Sequence, residues 1–249
     1  MLLPNLLKAA LNEQRLLKVI AGLANFDPAS VAMVARAAAA GGADLIDVAC
    51  DPAIVQLAVA ESGLPICVSA VDPELFPAAV AAGATLLEIG NYDSFYAQGR
   101  VFSGAEVLEL TRRTKALLPQ LSLSVTVPHT MALDQQEQLA IELVAAGADL
   151  IQTEGGTSAR PYSAGIQGLI EKAAPTLAAA HCISRAVQVP VLCASGLSAT
   201  TLPMAQAAGA AGVGVGSAVN RLSDEIAMLA VVRGLREALV ARVSLTHQR

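Results

Sequence analysis

The sequence predicts an α/β protein, a (β/α)8 barrel, and three observations carry that expectation. Eight short apolar runs bounded by Gly, Pro or Asp alternate with Ala-rich helical stretches, the pattern of repeated strand–helix units in a parallel sheet. The chain has 249 residues, a length at which eight such units close as one domain. Four segments, GGADLIDVA, AAGATLLEIG, AAGADLIQTEG and AAGAAGVGVGS, stand before and across the second, fourth, sixth and eighth runs, so the unit reads βαβα four times over. An open doubly wound sheet fits this regularity less well.

Taken in order, residues 1–16 read as an N-terminal helical extension of a single barrel domain spanning 1–249. The strands follow as LKVIAGL up to residue 23, DLIDVAC (44–50), PICVSAV (65–71), TLLEIGN (85–91), LSLSVTV (121–127), DLIQTEG (149–155), PVLCASG (190–196) and AGVGVGS (211–217). Asp27, Asp51 and Asp72 each precede a proline and read as helix N-caps with Pro at the first helical position. In the four repeats a glycine ends the helix that leads into the strand, as a left-handed cap does. Residues 240–249 read as a flexible tail.

Composition narrows the function classes. Hydrophobic residues make up 54% of the chain and charged ones 15%, for a net charge of -5, and the sixteen Lys and Arg are scattered rather than gathered in a basic stripe. That argues against a nucleic-acid partner. No apolar run reaches membrane-spanning length without Gly, Pro or charge, and the N-terminus lacks a basic region leading into an apolar one, so a cytoplasmic protein with no membrane partner is expected. The four cysteines form no C-x-x-C pair and read as reduced, buried thiols. No H-E-x-x-H or comparable spacing points to a metal, and no G-x-S-x-G elbow to a serine hydrolase. The sequence is compatible with a homo-oligomer without requiring one.

The repeats align on their Gly-Ala, which places Asp47, Glu88, Gln152 and Gly214 at one position and Ala49, Gly90, Glu154 and Gly216 two residues further on. Barrel interiors are filled by four-residue layers from alternate strands, so each set is expected to form one layer. The intervening residues are apolar and suit the helix-facing side, Thr153 excepted. Strand one then turns Lys18 inward, and strand five Ser122, Ser124 and Thr126. Such a lumen has two readings. In one, Lys18 is a Schiff-base nucleophile or proton donor with Asp47, Glu88 or Glu154 as acid and base. In the other, Lys18 and its acids are an ion-pair plug toward the barrel floor.

The C-terminal quarter points to an anion. CASGLS ends the seventh strand and GVGVGSAVN forms the eighth and opens a helix, and the loops after these strands are the usual phosphate cradle of the fold. The candidate contacts are Ser195, Gly196 and Leu197 on one side and Gly216, Ser217 and Ala218 on the other, with Gly212 and Gly214 as close-packing positions. Two long loops could close over the mouth. NYDSFYAQGRVFSG carries Asn91, Tyr92, Phe95, Tyr96, Arg100 and Phe102, and EGGTSARPYSAGIQG carries Gly155, Gly156, Arg160 and Tyr162. Asn91, Gln152, Gly155, Gly156, Arg160 and His129 are candidates for substrate contact, and Arg100 joins Arg160 as a partner for phosphate or carboxylate. The aromatics have a plainer alternative, stapling their loop to the barrel rim or to a neighbouring subunit.

LLKVIAGLANFDPASV, ADLIDVACDP, LPICVSAVDPE, LEIGNYDSFY, VTVPHT, LIQTEGGTS and VLCASGLS together resemble the hypothetical chloroplast reading frame twenty-three family, along nearly the whole chain. The resemblance implies a (β/α)8 fold in a cyanobacterial cytoplasm or plastid stroma and brings no reaction with it. ASGLS followed by AAGVGVGSAVN is similar, more distantly, to the ribulose-phosphate-binding barrels. It is also similar to flavin mononucleotide barrels of the nitronate monooxygenase kind, although GADLIQTEGGTSA lacks the histidine of their sixth-strand motif. The expected function is an enzyme of lyase, isomerase or aldolase type acting on a small phosphorylated metabolite. An oxidoreductase holding flavin mononucleotide (FMN) in the same cradle, and a non-catalytic sensor or scaffold of phosphometabolites, are the alternatives.

Overall fold

A computed structural model describes residues 3–246, with side chains through residue 239; the tail expected at 240–249 lies outside the described side chains. Eight parallel strands close into a barrel in chain order. They are β1 (Leu16–Gly22), β2 (Leu45–Ala49), β3 (Ile66–Ala70), β4 (Leu86–Ile89), β5 (Leu123–Thr126), β6 (Leu150–Gln152), β7 (Val191–Ala194) and β8 (Gly212–Val215). The barrel closes where Lys18 of β1 pairs with Gly214 of β8.

Helix α1 (Asn5–Asn12) precedes β1, followed in chain order by α2 (Pro28–Gly41), α3 (Pro52–Ser62), α4 (Phe76–Ala81), the four-residue α5 (Asp93–Tyr96), α6 (Gly104–Leu117), α7 (Leu133–Ala145), α8 (Gly165–Ala186), α9 (Leu202–Ala207), the four-residue α10 (Ser217–Asn220) and α11 (Glu225–Thr246). The local signals act as the chain suggested. Asp27, Asp51 and Asp72 each accept backbone N–H bonds at a helix or 3₁₀ start that has Pro in its first turn. Gly42, Gly83, Gly147 and Gly209, the repeated glycines, all take positive φ, between 87° and 121°.

Two apolar layers result. Outward residues of the strands, such as Val19, Ile46, Val68, Leu87, Val125, Ile151, Cys193 and Val213, pack under the surrounding helices. The floor is a separate cluster, in which Leu7, Ala10 and Leu11 of α1 cover Leu16, Leu45, Leu86, Leu150 and Leu192. The expected extension is therefore a bottom plug, and its burial directs any ligand to the opposite, C-terminal end. Helix α11 returns across α2, and Arg236 fastens it by donating to Asp44 at 2.6 Å and to the carbonyls of Gly42 and Arg15 at 2.8 Å each.

Small residues set the tightness of β8. A Cβ on Gly212 would lie 2.7 Å from the Leu16 Cβ, and one on Gly214 2.9 Å from that of Ala194. One on Gly216 would meet nothing nearer than 3.6 Å. The first two glycines are required by packing, and the third is not.

Thr153, the outward residue that broke the apolar pattern, pairs its hydroxyl with that of Thr176 on α8 at 2.6 Å, and Thr176 donates to the Ala194 carbonyl. A polar group on the helix side is tolerated because its hydrogen bonds are complete.

Candidate functional site

Midway down the barrel the layer expected from the repeats is present as a polar network. The Lys18 ammonium donates to Glu88 Oε2 at 2.6 Å and lies 3.4 Å from Asp47 Oδ2, all three side chains being at most 1% exposed. Gln152 Nε2 donates to Glu88 Oε1 at 2.6 Å, Ser69 Oγ donates to Asp47 Oδ1 at 2.7 Å, and Asn91 Nδ2 reaches Asp47 Oδ2 at 3.1 Å. Burial pulls the Lys18 pKa down, but Glu88 and Asp47 outweigh it and hold the ammonium above its ordinary range. Burial pushes the Asp47 carboxyl up to about 6, against the attraction of Lys18.

Of the two readings of this lumen, the geometry favours Lys18 and its acids as an ion-paired plug. Asn91 and Gln152 line the cavity above, while none of the three charged residues does. A Lys rooted this low on β1 spends its length reaching Glu88 across the lumen and has none left to reach the rim.

Above the network opens a cavity of about 440 Å³, a size suited to a small molecule. Ser195 and Gly196 after β7, and Gly216 and Ser217 after β8, form one side of it. Among the described residues nothing accepts a hydrogen bond from the amides of Gly196, Leu197, Ser217 or Ala218. Ser195 and Gly196 are both held at positive φ, 78° and 72°, a conformation unusual for serine. The Ser195 hydroxyl is tied down by the Thr157 amide at 2.8 Å, and it faces Asp93 Oδ2 at 3.4 Å. Leu197 is buried, and neither Leu197 nor Ala218 lines the cavity, so of the six expected cradle residues Ser195, Gly196, Gly216 and Ser217 are the ones on it.

Glu154, two residues past β6, forms the opposite wall and is 3% exposed. Its Oε1 accepts from the Tyr96 hydroxyl at 2.6 Å and the His129 amide at 3.1 Å, and His129 Nδ1 lies 3.0 Å away. Its Oε2 is buried with no hydrogen-bond partner among the described residues, as is Asp93 Oδ1. Burial raises the Glu154 pKa despite the bonds from His129 and Tyr96, and the bond to Glu154 raises that of His129. His129 does not line the cavity; its ring meets Tyr96 edge-on at 5.0 Å and supports Glu154 from behind.

The remaining candidates lie elsewhere. Gly155 and Gly156 are buried packing positions, and a Cβ on Gly156 would fall 2.2 Å from the Ser195 carbonyl oxygen, so this glycine lets the β6 loop touch the β7 loop. Arg160 is exposed and off the cavity. Arg100 is likewise off it, paired with Glu106 at 2.9 Å and placed 4.4 Å over the Phe102 ring. Tyr92, Phe95 and Phe102 stack among themselves and staple their loop to the rim, the plainer alternative; Tyr96 alone of the four reaches Glu154. Sequence reasoning missed Asp93, Asn25, Asn220 and Arg221, all on the cavity. Arg221 follows the eighth-strand motif by one turn of helix, a signal that its proximity to the cradle could have supplied.

A family model described as "Protein of unknown function (DUF561)" matches residues 3–245. The chain belongs to the DUF561 family. A relative within reach of this match, the protein named ycf23 of Cyanophora paradoxa, is 42% identical over 220 residues, covering 88% of this chain and 90% of that one. Among solved structures, the DUF561 barrel is similar to thiamine phosphate pyrophosphorylase from Pyrococcus furiosus, with a TM-score of 0.60 at 19% identity over 93% of this chain and 98% of that one. It is also similar to (S)-3-O-geranylgeranylglyceryl phosphate synthase from Thermoplasma acidophilum in complex with sn-glycerol-1-phosphate, with a TM-score of 0.62 at 15% identity over 95% and 99%. At these identities the likeness is one of fold. Among the described residues no helix is long and apolar enough to cross a membrane.

Proposed function

We propose that this DUF561 protein is an enzyme acting on a small phosphorylated metabolite, by lyase, isomerase or aldolase chemistry. The observation that carries the proposal is that Gly196 and Ser217, whose amides have no backbone acceptor among the described residues, line the same cavity as the buried Glu154. Backbone N–H groups at fixed positions bind an anion without rearrangement, and two loops converging on one point suit the oxygens of a phosphate. Arg221, also on the cavity, adds a guanidinium that can engage the same group. With the phosphate held at β7 and β8, the rest of the ligand extends toward Glu154 and Asp93, the cavity carboxylates. Glu154 there acts on the reacting end, held in one orientation by Tyr96 and His129. Solved neighbours named for phosphate compounds support the reading by analogy of fold. Lys18, Asp47 and Glu88 form the rigid polar floor under this site. The setting is the one the family resemblance implied, a cyanobacterial cytoplasm or plastid stroma.

Calorimetric titration with inorganic phosphate tests the cradle. The intact protein should bind one phosphate per chain, and Ser217→Asp, which sets a carboxylate at the first turn of α10, should weaken it at least tenfold, about 1.4 kcal/mol. Equal affinity in both proteins, or none in the intact one, contradicts the proposal.

A further inference from the structure

We infer that Asp93, His129 and Glu154 form a binding site for one divalent transition-metal ion, of the Mn²⁺ or Zn²⁺ class, at the wall of the cavity. Each residue offers a ligand atom, and these atoms lie within 4.8 Å of one another. Asp93 opens the short helix α5 after β4, and His129 and Glu154 stand on the loops after β5 and β6; the three segments converge only in the closed barrel. Proximity of acids alone would carry nothing. The second observation is that Glu154, 3% exposed and on the cavity, keeps a buried Oε2 with no partner among the described residues, and that Asp93 Oδ1 is in the same condition.

Two carboxylates this close repel each other, and their unpartnered oxygens lack the solvation they would have in water. A protonated His129 does not repair this, because its Nδ1 already meets Glu154 Oε1 and leaves both orphan atoms as they are. One divalent ion held by the two carboxylates and the imidazole offsets that repulsion and supplies the partner the carboxylates lack. The buried set Asp47, Cys67 and Glu88 shows the contrast: there the cation is supplied by the Lys18 ammonium, and the acids are partnered.

The donor set fixes the class of ion. Two hard carboxylate oxygens with one imidazole nitrogen suit Mn²⁺ or Zn²⁺, whereas Mg²⁺ and Ca²⁺ prefer oxygen alone. Supporting contacts are in place: Tyr96 fixes Glu154, and Ser195 orients Asp93. Three protein ligands leave positions open toward the cavity, as in sites where the ion also contacts a substrate. Ser195 belongs to the phosphate cradle too, so the ion and a bound phosphate would share one rigid loop. With an ion bound, Glu154 would serve as one of its ligands, and the ion would supply Lewis-acid polarisation beside the reacting end of a substrate. The site does not depend on the phosphate reading, since its test involves the metal alone.

The test is titration of the chelator-stripped full chain with Mn²⁺, followed by electron paramagnetic resonance of free ion and by calorimetry, with Zn²⁺ as competitor. The expected result is one ion per chain, at least tenfold weaker binding in Asp93→Asn and Glu154→Gln, and unchanged binding in the surface control Glu225→Gln. Because Glu154→Gln keeps shape and size, circular dichroism of the same samples separates loss of the site from loss of the fold; a variant that unfolds is replaced by Asp93→Ser. Binding that is absent in the intact chain, or equal in the folded variants, overturns the assignment.

Discussion

Two clusters of similar composition sit at two depths of the same barrel. In the deep one, Asp47 and Glu88 close on Lys18; at the rim, Asp93 and Glu154 close on His129. The deep acids are hydrogen-bonded on every side, by Ser69, Asn91 and Gln152 as well as the ammonium, and the charges lie off the cavity. The rim acids line the cavity and each keeps one oxygen without a partner. The carboxylates of the two clusters therefore differ. The deep pair has partners on all four oxygens and stiffens a floor, although Gln152 Oε1 beside it has none, whereas each rim carboxylate keeps an unpartnered oxygen at the cavity.

The largest expected effect separates the clusters by stability. Lys18→Met leaves two buried carboxylates without their cation and should cost about 3–5 kcal/mol in urea unfolding, while Glu154→Gln should stay within about 1 kcal/mol. Comparable losses in the two variants would erase the distinction. Next comes the strand that joins the levels. Gly214→Ala should destabilise by about 1–3 kcal/mol, because its Cβ meets Ala194, whereas Gly216→Ala should cost under about 1 kcal/mol. Thermal denaturation of the pair checks this, and a reversed order would count against the packing argument.

A smaller effect is a pH signature of the floor. The folded Asp47 carboxyl, at about 6 against an ordinary value of 3.8, binds its proton more tightly than the unfolded chain does. Its contribution to stability is present at low pH and declines as pH rises from about 4 to about 6. Asp47→Asn removes that decline, so the stability of the variant relative to the intact protein should rise across this window. A constant difference from pH 4 to pH 6 would show that Asp47 is not perturbed.

Much of the fold was legible because it is periodic. Gly42, Gly83, Gly147 and Gly209 mark the same step of four repeats, and Asp27, Asp51 and Asp72 with their prolines mark helix starts, so local chemistry and tertiary placement agree. The layer containing Asp47, Glu88 and Gln152 followed from strand alternation alone. Position early in β1 also set Lys18 below the rim. What strand alternation and position could not decide was whether that lysine is a plug or a catalytic group.

The rim cluster was hidden for a different reason. Asp93, His129 and Glu154 stand on three separate segments and obey no local spacing. Arg100 and Arg160 stood out as the cations of long loops, yet Arg221, beside the cradle, is the one on the cavity.

The proposed phosphate sits on the amides after β7 and β8, above the rim carboxylates. Diffraction from a phosphate-soaked crystal tests this directly. Tetrahedral density is expected within hydrogen-bonding distance of the Gly196, Leu197, Ser217 and Ala218 amides. A well-ordered cavity with no anion at that point, or a phosphate seated only elsewhere on the protein, would contradict it.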